Sequence, residues 1–163
     1  MKSSSKLRVW FASVMLTAYV GFVLLVTLTP SPVDKPFQHD LQRILEELHD
    51  RGLPGFVGYD FVEFSSNVAL FIPIGFVAAL LLPRRGWWLV LLVGPLFSVA
   101  IEFLQHSVLP ERYATVSDVL ANSIGTLIGA LFAVLLRLLT SWRDRLVLEQ
   151  VLAGRNGVDL LDA

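Results

Sequence analysis

Six side chains carry the groups in this chain that can bind or move charge: Asn67, Glu102, Gln105, Arg112, Asp118 and Asn122. Glu102 and Gln105 lie inside an apolar run, 87–109, that is long enough to cross a bilayer. A carboxylate near the middle of such a span costs about 2.5–3.5 kcal/mol, so a chain keeps one there for pairing or for use. Two carboxylates offer acid–base chemistry. Carboxylates beside an arginine offer an ion pair, and three amides offer hydrogen bonds to a polar head group.

The spacing places these groups on helix faces, because residues three or four apart are neighbours on a helix. Ser98, Glu102 and Gln105 form one stripe, Asp118, Asn122, Gly125 and Gly129 a second, and Asp60, Glu63 and Asn67 a third. Polar groups facing lipid lack partners, so the three stripes are expected to face one another. Arg112 falls in the short loop between the first two.

The elements that must position them are four apolar segments, at 9–28, 61–82, 87–109 and 119–139. Each reaches the roughly 20 helical residues needed to cross about 30 Å of hydrocarbon. The second has a short apolar part, so a full span draws Ser65, Ser66, Asn67 and Glu63 into the helix. With 55% apolar and only 17% charged residues among 163, the chain reads as an all-α membrane protein, a four-helix transmembrane bundle. The bundle is expected over 1–140 and a cytoplasmic tail over 141–163. No cysteine is present, which excludes disulfides, thiolate metal sites and a thiol nucleophile.

Lys2, Lys6, Arg8, Arg84, Arg85, Arg137, Arg143, Arg145 and Arg155 lie on one side of the expected spans; the other side has only Lys35, Arg43, Arg51 and Arg112. Cytoplasmic loops collect basic residues, which predicts a multi-pass protein of the bacterial cytoplasmic membrane with both termini inside. Glu102 then lies about 10 Å from the outer end of its span. Between spans one and two, Phe37, Leu41, Ile44, Leu45 and Leu48 recur at helical spacing, predicting an amphipathic interfacial helix at about 37–50, stopped by Gly52 and Pro54. It lies on the outer leaflet or roofs a cavity between the spans.

Plainer roles compete for the same residues. Thr115-x-x-Asp118 is also a capping pattern. Glu102 and Arg112 also make a structural ion pair, and Asn67 a helix-to-helix hydrogen bond. Gly125 and Gly129 permit close helix approach, within the chain or in a homodimer. Pro73 and Gly75 predict a kink in span two. Glu102 and His106 are too few ligands for a metal, so none is expected. Neither a Gly-x-Ser-x-Gly elbow nor a phosphate-cradling glycine loop occurs, and neither a cofactor nor a nucleic-acid partner is expected.

The string from Asn67 through Phe71, Pro73 and Gly75, then Glu102 and Gln105, then Arg112, Asp118, Asn122, Gly125 and Gly129 resembles the VanZ-like family of small bacterial membrane proteins. The resemblance covers nearly all of the chain from 9 to 139. It implies a cell-envelope protein; the family is named for a member that lowers susceptibility to teicoplanin, a lipid-tailed glycopeptide. By likeness, Asn67, Glu102, Gln105, Arg112, Asp118 and Asn122 are the family's polar signature. Several functions stay open at this point. One is a non-enzymatic pocket for the head group of a membrane lipid, a lipid-linked wall precursor or a lipoglycopeptide. Another is an intramembrane enzyme using Glu102 and Asp118, a third a proton-coupled carrier or flippase, and a fourth a structural role alone.

Overall fold

The computed structural model describes residues 2–28, 37–108 and 115–159, and all of its regular structure is helical. In order come α1 (Lys2–Thr27), α2 (Gln38–Asp50), α3 (Tyr59–Leu81), a 3-10 turn (Trp87–Leu89), α4 (Val90–Val108) and α5 (Val116–Asp159). Four stretches are long and apolar enough to cross a membrane: Lys6–Thr27, Tyr59–Leu81, Trp87–Gln105 and Val116–Leu152. The chain is a multi-pass membrane protein. In hydrocarbon, a helix satisfies its own backbone, and long apolar runs have no cheaper alternative.

α3 starts early enough to take Asp60, Glu63, Ser65, Ser66 and Asn67 into its first turns. Asp60 sits there favourably against the positive end of the helix dipole. The helix continues through Pro73 to Leu81. α2 ends at Asp50, just ahead of Gly52 and Pro54. Gly52 adopts a left-handed φ of 103°, its N–H reaches the His49 carbonyl at 3.0 Å, and the Leu53 N–H reaches the Leu48 carbonyl at 2.9 Å. This is the Schellman arrangement, which a Cβ would strain.

α3 and α5 form the central pair, α4 lies along α5, and α1 leans on α3. Small residues set the spacing. A Cβ added at Gly125 would collide with the Val68 carbonyl and at Gly129 with that of Ile72, while one at Gly75 would strike the Thr126 carbonyl. The Gly125–Gly129 pair is thus applied to α3 of the same chain. Lipid tails are as apolar as leucine, so close contact between backbones, rather than water exclusion, holds such helices together. Around this pair Val23, Phe71, Ile74 and Ile101 make one core cluster and Ala79, Val90, Ala130 and Ala133 another. Most large apolar side chains of α1, among them Leu7, Trp10, Phe11 and Leu25, stay exposed, as a lipid-facing helix requires.

At the end of α3, Arg137 of α5 donates from Nη2 to the carbonyls of Leu80 (2.9 Å) and Leu82 (2.7 Å). The last carbonyls of a helix have no intrahelical partner and sit at its negative pole, so one guanidinium meets both needs. Arg137→Ala is expected to lower the unfolding stability of detergent-solubilised protein by about 1.5–3 kcal/mol, the range for hydrogen bonds to a charged group. An unchanged unfolding midpoint would show that this clasp carries no load.

Candidate functional site

The polar stripes of α3, α4 and α5 border one cavity of about 530 Å³. α3 contributes Tyr59, Asp60, Glu63, Phe64 and Asn67; α4 contributes Ile101, Glu102 and Gln105. α5 adds Asp118 and Asn122 with Ser117, and Thr115 just precedes it. Thr27 from the end of α1 and Gln38 from the start of α2 complete the wall. The volume falls within the roughly 300–1,000 Å³ of small-molecule sites.

Each polar residue arrives by its place in a helix. Thr115 is the N-cap of α5: its hydroxyl accepts from the Asp118 backbone N–H at 3.2 Å and donates to Asp118 Oδ2 at 2.7 Å. The other carboxylate oxygen, Oδ1, accepts from Asn67 Nδ2 at 2.8 Å. Asp118 therefore both supports the helix start and bridges α5 to α3. A negative charge in the first turn of a helix is also favoured by the dipole.

One turn further along α5, Asn122 is only 5% exposed. Its Nδ2 donates to Ser98 Oγ at 2.9 Å, a bond between two buried groups. Its Oδ1 is buried without a hydrogen-bond partner among the described residues. Thr126 packs one turn below, its hydroxyl donating to the Asn122 carbonyl at 2.8 Å, and its side chain fills the space that a Cβ on Gly94 would need.

On α4, Glu102 and Gln105 are each 8% exposed. Gln105 Nε2 donates to the backbone carbonyl of Thr27 at 2.7 Å. That carbonyl is at the C-terminus of α1, where the helix supplies no donor. At the rim, Gln38 Nε2 donates to the Tyr59 hydroxyl at 2.7 Å, tying the start of α2 to the start of α3.

Five of the six sequence-selected residues, Asn67, Glu102, Gln105, Asp118 and Asn122, border this single space. Arg112 lies outside the described residues, so its proposed pairing with Glu102 does too. Sequence reasoning missed Thr27 and Gln38. Thr27 acts through its main chain, which no side-chain pattern reveals; Gln38, one residue past Phe37 at the start of the amphipathic period, was a readable signal.

Four carboxylates, Asp60, Glu63, Glu102 and Asp118, line the cavity, and no lysine or arginine joins them among the described residues. Also among the described residues, no three His, Asp or Glu side chains gather closely enough to hold a metal ion. The described wall thus combines carboxylates with the amides of Gln38, Asn67, Gln105 and Asn122.

No curated protein and no solved structure matches the chain. Residues 16–137 match the sequence model of the VanZ/LLP1 family, a stretch that contains every described residue of the cavity wall, and the chain belongs to that family.

Proposed function

We propose that this is a non-enzymatic protein of the bacterial cell envelope whose cavity receives the head group of an amphipathic molecule. The ligand is a membrane lipid or a lipid-linked wall precursor, and the family's association with teicoplanin resistance brings lipoglycopeptides into the same class. The observation that carries this reading is the 530 Å³ space bordered by Asn67, Glu102, Gln105, Asp118 and Asn122 from three neighbouring helices. Polar surface at membrane depth is costly unless protein, ligand or water meets it. The distribution of basic residues supports a cytoplasmic-membrane location with both termini inside, which sets the cavity in the outer leaflet. Phe37 just before α2, and Ile44 and Leu48 within it, are exposed, which suits a helix resting on that leaflet beside the cavity mouth. Residues 1–140 act as the membrane domain and 141–163 as its cytoplasmic extension. Arg112 is the candidate partner for an anionic group on the same ligand.

Native mass spectrometry of the intact protein, offered a panel of bacterial phospholipids and wall-precursor lipids, tests the reading. Wild-type protein is expected to retain a bound amphiphile, and Asn122→Ala and Arg112→Ala to weaken retention at least tenfold while still inserting into membranes. Retention undiminished by both substitutions would remove the proposal.

A further inference from the structure

We infer that the opposite end of the bundle, which bears Lys6, Arg8, Arg84 and Arg85, holds an anionic phospholipid, with one acyl chain in an apolar groove between α1 and α4 and the phosphate at the arginines. This site is separate from the polar cavity and does not depend on what that cavity binds. The groove has a volume of about 550 Å³, and Leu16 and Val20 of α1, Ile74 and Leu81 of α3, and Val93 and Phe97 of α4 line it. A Cβ at Gly94 would collide with the Thr126 side chain, so α5 closes the space on that side. Among the described residues Thr126 is the one polar side chain of the lining, and its hydroxyl already donates to the Asn122 carbonyl at 2.8 Å. The rest is a wall for hydrocarbon. Along α3 it runs from Ile74 to Leu82, about 12 Å at the usual rise, which is most of the roughly 15 Å of hydrocarbon in one leaflet.

The charge at the groove's end names the head group. The Gly86 N–H reaches the Pro83 carbonyl at 2.8 Å and the Leu89 N–H that of Gly86 at 3.0 Å, so Arg84 and Arg85 sit in a tight turn between Leu82 and Leu89, both of them residues of the groove wall. Both arginines are exposed, and neither pairs with a carboxylate among the described residues. α1 and α4 run in the same direction. The same count back along each from the Gln105–Thr27 bond brings Leu16 level with Gly94, two residues of the wall, and then Lys6 and Arg8 level with the arginine turn. These two are exposed as well. The sequence has no aspartate or glutamate before Asp34 or between Glu63 and Glu102, and on α5 the first carboxylate beyond Arg137, Asp144, pairs with Arg143 at 3.5 Å. Basic clusters at a membrane surface attract anionic lipids, and basic pockets between helices hold their head groups. A purely topological signal needs the charges but no groove beside them.

The test is native mass spectrometry of the full chain in a neutral detergent, titrated with dioleoyl-phosphatidylglycerol or dioleoyl-phosphatidylcholine. The glycerol lipid is expected to bind at least about fivefold more tightly than the choline lipid, and the preference to vanish in Arg84→Gln/Arg85→Gln. If that variant does not accumulate, Lys6→Gln/Arg8→Gln takes its place. Ala78→Phe, which fills the groove, is expected to weaken both lipids at least about fivefold; Val93→Phe, at an exposed position of the same wall, serves if it does not fold. Asn122→Ala, in the polar cavity, is expected to leave this binding unchanged, so the two sites fail separately. Equal binding of the two lipids by the wild-type protein overturns the inference, as does a preference that survives loss of the basic residues. Undiminished binding in the groove-filling variant overturns the groove as the seat of the chain, and a matching loss in Asn122→Ala moves the lipid to the other cavity. A lipid-free dimer that Ala78→Phe dissociates gives the groove to a second copy and overturns the lipid.

Discussion

Gly129→Leu is expected to prevent the protein from accumulating in folded form, and Gly129→Ala to cost about 1–3 kcal/mol, the range for overpacking a tight contact. The added Cβ would meet the Ile72 carbonyl and lie 2.6 Å from the Phe76 backbone nitrogen, both in the middle of α3. Backbone atoms of a helix cannot swing aside as a side-chain tip can; α3 and α5 must move apart as bodies. That motion would also separate Asn67 from Asp118 and open the cavity wall. Gly125→Ala meets the Val68 carbonyl and the Phe71 Cβ and should behave alike. Gly21→Ala, with nothing within 4 Å of the new carbon, is the control and should leave stability unchanged. Unfolding in detergent with increasing sodium dodecyl sulfate measures all of these. A Gly129→Ala midpoint equal to that of Gly21→Ala would disprove the close approach of α3 and α5.

The second large effect belongs to the Asn67–Asp118 bridge. Asn67→Asp would set a second carboxylate where an amide now donates at 2.8 Å. A buried charge facing a like charge costs about 3–5 kcal/mol when fully enclosed, and about 2–3 kcal/mol is expected here because both residues are half-buried. Asp118→Asn should cost about 1 kcal/mol, because its remaining oxygen still accepts from Asn67 and the Thr115 hydroxyl can reverse its role. The double variant Asn67→Asp with Asp118→Asn exchanges donor and acceptor and restores the hydrogen bond. It should recover about 1–2 kcal/mol relative to the sum of the single changes. Additive costs in the cycle would show that the two side chains do not interact. Thr115→Ala, which removes the cap alone, should cost about 1 kcal/mol and show little coupling to position 67.

The four spans were legible because hydrocarbon imposes a rule that sequence composition displays directly: about twenty apolar residues for each crossing. The same rule drew Ser65, Ser66 and Asn67 into α3, since its apolar part was too short by itself. The polar stripes were legible from helical spacing, which fixes the face of a residue without fixing its neighbour. Hence Glu102, Gln105, Asp118 and Asn122 could be grouped, but the bond from Asn122 to Ser98 depends on the register between two helices and is not encoded in either one. Gly125 and Gly129 show the same boundary. Their spacing announces a close contact, and only the fold names α3, rather than a second chain, as the partner. Asp118 was read as either a capping residue or a cavity residue; it has two oxygens and uses one for each. Arg137 was read only as a topological charge, because a side chain that grips backbone carbonyls leaves no pattern in the partner's sequence.

α5 carries a mechanical consequence. Its 44 residues make a rod of about 66 Å at the usual rise per residue, roughly twice the thickness of the hydrocarbon it crosses. Asn122 stands near one tip, and Trp142, Leu146 and Leu152 line the opposite stem, all on one unbroken shaft. The cavity wall at Asn122 and the stem beyond the hydrocarbon are therefore parts of one continuous helix, with no loop between them to absorb a change at either end.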